Sequence, residues 1–544
     1  GDVSSSGSLN VSGTRGGNVT VQSTATTLVS GTVDATGSAG KGGTVQVLGQ
    51  YAGLTGNANI DASGSTGGGT VLVGGDYQGK NAAIQNAQRS YVGADTAIKA
   101  DATQSGDGGK VIVWADDVTR YYGTISARGG AQGGNGGFAE VSGKESLVFN
   151  GTADLRAPLG ATGTLLLDPK NIRITAAGAD AVATNDAFAD NATATSDLSS
   201  TNVVAAMNAA NLVLQANNDI TVETNVNVAA GTGTANQNLT LQAGRHIILA
   251  ATPDTATPTN STGAVAITMN GGAFAATTNV NTTDAPGFLS ANRDAGAAQF
   301  FMATGSAITG ASSVTIAAGN NNNPSLNANS GVFNIGAHTT TGGGINISAF
   351  NSLKRKGALN SGGGAINASA DGDLGVTTAG SIVAGAGTVT LATTENLNAD
   401  ANINLAGNVS GAKLVLNSAD AISQTTGGIT ATQLRVMAAS GAADDAVNLG
   451  GSNNVGTLSA AKSTTAPGGG GISSFNFNNG ANALTVGTVD GIVGITAIPT
   501  PPATGSVTLT AGDLVISQGI TTDSGKGVVT LQPFGNTGVN IVNS

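Results

Sequence analysis

Short runs of alternating apolar and polar residues recur along this 544-residue chain, among them "TVQV" at 44–47, "INISA" at 345–349 and "VTLTAG" at 507–512. A period of two places every second side chain on one face, so each run predicts a short β-strand with one buried side. Glycine-rich stretches separate the runs. Five of the resulting units align: "LNVSGTRGGNVTV" from Leu9, "VDATGSAGKGGTVQV" from Val33, "IDASGSTGGGTVLV" from Ile60, "IKADATQSGDGGKVIV" from Ile98 and "ISARGGAQGGNGGFAEV" from Ile125. Each reads as a strand, a Gly-rich turn, a Gly-Gly pair and a second strand. The pairs fall at 16–17, 42–43, 68–69, 108–109 and 136–137, spaced by 26, 26, 40 and 28 residues.

A recurring unit of about 20 to 30 residues made of short strands is the signature of a solenoid. The predicted fold is therefore all-β, a parallel β-helix (β-solenoid) with loop insertions and one short helix. Inward Val, Ile and Leu stack into a continuous core, and neighbouring coils hydrogen-bond ~4.8 Å apart. At about 24 residues per coil the chain would make about twenty coils, a rod on the order of 100 Å long. The turn glycines are expected to supply positive φ where the coil changes direction.

The pattern predicts regular Gly-rich coils over 1–174 and an insertion with a short helix over 175–211. Coils follow at 212–250, then an irregular Asn/Thr/Ala-rich insertion with some coils at 251–330, and coils again at 331–544. In "STNVVAAMNAAN" (200–211), Val203 and Met207 fall on one helical face, with Ser200 or Thr201 as the expected N-cap. No globular second domain is expected.

Candidate chemistry concentrates in "VIVWADDVTRYYG" (111–123). Aromatic residues are only 3% of the chain, yet Trp114, Tyr121 and Tyr122 cluster there with Asp116, Asp117 and Arg120. Carboxylates beside aromatic rings could serve a sugar-cleaving site or form a surface patch. Similar stretches, "LGQYAG" and "GGDYQG", follow the strands at 45–47 and 71–73 and carry Tyr51 and Tyr77. That parallel favours a repeated corner, and adjacent Asp residues on a strand would point to opposite faces rather than converge on one bond. No catalytic, cofactor or metal site is predicted. His246 is read at a strand start and His338 in a turn, and without Cys the two cannot build a zinc or thiol site to the usual rules. Gly-x-Gly patterns lack a following helix and a Walker lysine, and the calcium-binding nonapeptide of β-rolls is absent.

A net charge of −11 argues against nucleic acid as a partner. The single basic run, Lys354-Arg355-Lys356, reads as a solvated loop. Absence of Cys fits both an exported protein without disulfides and a cytosolic one. No apolar stretch reaches the ~18 residues that span a bilayer, and with neither an initiating Met nor a signal peptide the chain reads as a mature or excised piece. Sequons at Asn10, Asn18, Asn150, Asn191, Asn238, Asn260, Asn281, Asn346, Asn367 and Asn408 are unsurprising in so Asn- and Thr-rich a chain. Rather than carrying glycans, aligned Asn or Thr residues could form ladders from coil to coil.

The block "GGKVIVWADDVTRYYGTISARGGAQGGNGGFAEVSGKESLVFNGTADL", followed by "GTLLLDPKNIRI" at 163–174, closely resembles one found in large bacterial exoproteins. These are the filamentous-haemagglutinin-like and high-molecular-weight-adhesin-like exoproteins of two-partner secretion. The resemblance covers roughly residues 1–250. It implies a right-handed parallel β-helix, located outside a Gram-negative cell or on its outer surface. It also implies export through an outer-membrane β-barrel transporter. The family's secretion domain carries Asn-Pro-Asn motifs. The only Asn-Pro here is Asn323-Pro324, followed by Ser325, so the transporter partner would be engaged through a domain this sequence lacks.

Together these readings lead to a non-enzymatic surface or secreted adhesin rod for attachment, aggregation or biofilm, with a glycan or protein receptor that the sequence does not name. An alternative is a self-assembling extracellular fibre subunit stacking end to end, suggested by uncapped strand-turn units at both termini. A lesser alternative is a polysaccharide-degrading β-helix enzyme using Asp116, Asp117 and Arg120 with Trp114.

Overall fold

The computed structural model describes residues 1–178, 188, 195–228, 236–280, 293–318, 333–355, 357–395, 401–438, 445–462, 471–523, 526–535 and 541–542. The strands stack in long parallel sheets, the arrangement of a parallel β-helix. Two compact units are present: residues 1–261 with 265–296, and residues 262–264 with 297–544.

In the first unit each early coil contributes one strand to each of three sheets. One sheet stacks Asn18–Gln22, Thr44–Leu48, Thr70–Val73, Lys110–Ala115, Phe138–Gly143, Thr164–Leu167 and Asn211–Ala216 in parallel. A second runs from Val3–Ser5 to Ser146–Phe149, and a third from Ser8–Asn10 to Thr152–Asp154, six strands each. Register is set by the inward column Val19, Val45, Val71, Val111, Ala139, Leu165 and Leu212, whose members are direct partners from coil to coil. From Val45 onward every member of that column is fully or almost fully buried. A one-residue slip would turn the whole column outward, so burial fixes the register.

The Gly-Gly pairs do a different job from the turn glycines. None of them has positive φ. They are needed for close approach: a Cβ on Gly108 would lie 2.1 Å from the Ala127 carbonyl oxygen, and one on Gly136 would lie 1.7 Å from that of Leu155. Positive φ falls on other turn residues, such as Gly74 and Gly106.

The expected helix is Ser200–Met207, with Val203, Ala206 and Met207 buried. Its N-cap is Ser199, one residue before the expected pair, and the Ser199 hydroxyl accepts the Asn202 N–H at 3.0 Å. Ser199 also ends the strand Ser196–Ser199, so the chain passes from strand to helix without a loop.

The second unit repeats the parallel scheme, for example through Ile345–Ala349, Ile366–Ala370 and Thr388–Thr393. In Val409–Asn417, Ile429–Ala438 and Asn454–Lys462 the strands lengthen to nine or ten residues, because one strand now covers what two had covered in earlier coils. Asn side chains pair from coil to coil. Asn367 Nδ2 donates to Asn346 at 2.8 Å and Asn476 Nδ2 to Asn448 at 2.9 Å, each pair directly in register. His338 lies within the strand Ala337–Thr340, not in a turn, and is buried. Of the basic run, Lys354 is exposed, while Lys356 lies outside the described residues.

Candidate functional site

The 40-residue spacing between Gly68 and Gly108 corresponds to an insertion. In the coil before it, Thr44–Leu48 is followed by Tyr51–Leu54 after two residues. In the next, residues 74–88 separate Thr70–Val73 from Arg89–Val92. Arg89, not Tyr77, is the partner of Tyr51 in register. Tyr77 instead opens a 3-10 turn, Tyr77–Gly79, within the insertion, capped by Asp76. The likeness of "GGDYQG" to "LGQYAG" is therefore not an equivalence of position.

The insertion folds over the outward side of the first sheet. The outward column there reads Thr20, Gln46, Leu72, Ile112, Glu140, Leu166 and Val213. Its first member is exposed, whereas Leu72, Ile112, Glu140 and Leu166 are buried. Leu72, Ile112 and Trp114 form a hydrophobic cluster, against which Tyr77 and Ile84 of the insertion and Phe138 pack. The roof explains why an outward face carries apolar side chains at all.

Glu140 is the ionisable exception in that roofed column. It is fully buried and accepts the Gln78 backbone N–H at 3.1 Å. Gln78 reaches this position with φ of 53°, a left-handed conformation uncommon outside glycine. Its side chain is buried, and neither amide atom has a hydrogen-bond partner among the described residues. Burial, reinforced by the charge of Asp168, pushes the Glu140 carboxyl from 4.5 up to about 8. Asp168 is likewise buried and pushed to about 8 by desolvation, with Lys80 acting in the opposite sense. Gln215 Nε2 donates to Asp168 Oδ2 at 3.1 Å.

The six residues singled out in the sequence are not brought together as one exposed patch. Trp114 is on a strand, not at the corner, and lies under the roof with its Nε1 donating to Asp116 Oδ1 at 3.0 Å. Asp116 and Asp117 are the corner. Asp116 also accepts Asn86 Nδ2 at 3.2 Å, and Asp117 pairs with Arg89 at 3.2 Å. Arg120 and Tyr121 are buried in Val118–Tyr121, where Tyr121 stacks on Phe149 with ring centroids 5.4 Å apart. Tyr122 is half-buried and tilts against Tyr91. Both carboxylates thus serve to tie the insertion and the neighbouring coil to the corner.

Beside the roof runs an open groove of ≈ 810 Å³. Its floor is the stacked glycine segments of successive coils, 68–69, 108–109, 136–137 and 163. Tyr77 and Phe138 form one wall, in an edge-to-face pair with centroids 5.6 Å apart. Lys110 Nζ lies 6.0 Å from the Tyr77 ring centroid and donates to Asp76 Oδ1 at 2.6 Å, so its charge is matched. Burial works against the Asp76 charge, but hydrogen bonds from Asn81, Lys110 and the Tyr77 N–H hold its carboxyl below the usual range. Asp107 and Asn135 are exposed on the rim. Their acceptor oxygens bond one coil onward: Asp107 Oδ1 accepts the Asn135 N–H at 2.7 Å, and Asn135 Oδ1 the Ala161 N–H at 2.9 Å.

Among the described residues no cluster of three or more His, Cys, Asp or Glu is placed to hold a metal ion. His246 is buried beside the Asp219–Arg245 ion pair, and desolvation lowers it to about 4. Searches against protein-family models and curated proteins return no match. Glu140 and Asp168 were not singled out in the sequence, and Tyr77 was read only as part of a repeated corner. The long spacing at 68–108 and the unbroken apolar run "VIVWA" were the available signals of a covered outer face.

Proposed function

We propose that this chain is the solenoid portion of a non-enzymatic adhesin, displayed outside a bacterial cell and exported by two-partner secretion. What supports the reading is the contrast at the site. The aromatic-walled groove is open, while Glu140 and Asp168 lie under the roof and Asp116 and Asp117 are engaged in holding the corner. A surface that binds needs exposed rings and rim polar groups on a rigid frame. A glycosidase needs two carboxyls facing one bond across an accessible cleft. The groove supplies the first arrangement. The resemblance at 108–174 to filamentous-haemagglutinin-like exoproteins supports the same conclusion, with the transporter engaged by a domain outside this sequence. The test is adherence: beads coated with the chain are expected to attach to host-cell or bacterial surfaces above a bovine serum albumin control. Failure to attach, together with release of reducing ends from polysaccharides, would replace this reading with the enzymatic one.

A further inference from the structure

We infer that the groove formed by the stacked glycines and the Tyr77–Phe138 wall binds a short, neutral oligosaccharide. The inference rests on the adhesive reading and names its ligand class. The glycine floor carries no side chains, so a ligand can lie directly on the coil backbone. The floor's N–H groups are already used within the solenoid: Gly68 donates to Asp107 O at 3.0 Å and Gly108 to Asn135 O at 2.9 Å. The floor therefore offers a flat surface without unmet donors, which suits the C–H face of a pyranose rather than a phosphate or sulfate. Four coils at ~4.8 Å spacing make a floor of about 14 Å, the length of a di- or trisaccharide.

The wall and rim supply the rest. Tyr77 and Phe138 are each half-buried, anchored on the Trp114 cluster below and open toward the groove. An aromatic face is electron-rich and attracts polarised C–H groups. Rim hydroxyls of Thr70 and Thr164 and the Asn135 amide can bond sugar hydroxyls. Charge sets the class: Lys110 is matched by Asp76, which leaves Asp107 as a rim charge with no ion-pair partner among the described residues. A negative rim on a chain of net charge −11 disfavours sulfated or carboxylated sugars.

The probe is the purified full chain on an array of neutral, sialylated and sulfated oligosaccharides, with affinities then measured by calorimetry for the neutral hits. Ala161 is exposed on the groove edge, so Ala161→Trp fills the groove without removing a packed side chain. Neutral oligosaccharides are expected to bind, and Ala161→Trp to weaken them at least tenfold with unchanged thermal unfolding. Three results would each overturn the inference: binding restricted to sulfated glycans, undiminished binding in Ala161→Trp, or no glycan binding by a chain that still adheres to cells. The last would leave the adhesive reading standing, whereas loss of both adherence and glycan binding would remove both.

Discussion

Replacing Glu140 by glutamine isolates the cost of the buried acid. In the folded chain the Glu140 carboxyl holds its proton to about pH 8, against 4.5 for the ordinary side chain, chiefly because it is desolvated, with the neighbouring Asp168 carboxyl adding to the shift. The folded state therefore binds more protons than the unfolded state between those values. Raising the pH favours unfolding across that window: stability is full below about pH 4.5, falls progressively toward pH 8 and levels off above it. At about 1.4 kcal/mol per pH unit, the full window is about 5 kcal/mol for Glu140. A glutamine at this position would not titrate, and its amide oxygen could still accept the Gln78 N–H. Glu140→Gln is thus expected to match wild type near pH 4 and to exceed it by several kcal/mol at pH 9. Trp114 is the only tryptophan and sits beneath the same roof, so its fluorescence during urea unfolding reports this compartment locally. Local reporting matters because a solenoid need not unfold as one two-state unit. Parallel pH profiles for variant and wild type from pH 4 to 9 would refute the reasoning.

Gly108→Ala sets a Cβ 2.1 Å from the Ala127 carbonyl oxygen, a backbone atom that cannot swing away. A loss of about 2 to 4 kcal/mol in chemical denaturation is expected, in the range of severe overpacking or strain; a neutral result would mean the coils separate easily. Gln78→Gly removes both the left-handed strain and the unpartnered buried amide while keeping the backbone bond to Glu140. It is expected to stabilise the insertion by about 1 kcal/mol, seen as slower amide exchange at 74–88 by mass spectrometry. Faster exchange there would show that the Gln78 side chain holds the roof in place. Ser199→Ala removes the helix cap and is expected to cost about 1 kcal/mol, read as increased exchange across 200–207 with the coils of 1–154 unaffected.

The coil repeat was legible because its cause is local. Alternation in "NVTVQ" and "TVQVL" places Val19, Val21, Val45 and Val47 inward, and parallel stacking then follows from their register. The Gly-Gly pairs were found by position, but their reason was not legible. Sequence marks where a side chain is forbidden, while the carbonyl that forbids it, Ala127 O for Gly108, belongs to another coil. The aromatic cluster of 114–122 was also visible, but its parts separate in space. Trp114 faces outward under the roof, Tyr121 points into the core against Phe149, and the two Asp residues turn the corner.

What stayed hidden was the roof, and with it the site. In "FAEVSG" Ala139 and Val141 alternate with Glu140, and period-two reasoning assigns such a Glu to solvent. The column it belongs to argues otherwise: Leu72 and Ile112 precede it in register and Leu166 follows, which no solvated face would carry. Only comparison between coils, column by column, exposes this, because the segment that covers them arrives from the insertion at 74–88. The same insertion delivers Tyr77 to the groove wall and fixes it through Asp76 and Lys110. A regular solenoid presents one face over and over; a single long corner is what makes one stretch of that face unlike the rest. On the proposed reading, binding specificity resides where the repeat is broken, and variation in residues 74–88 should change the ligand while leaving the coils intact.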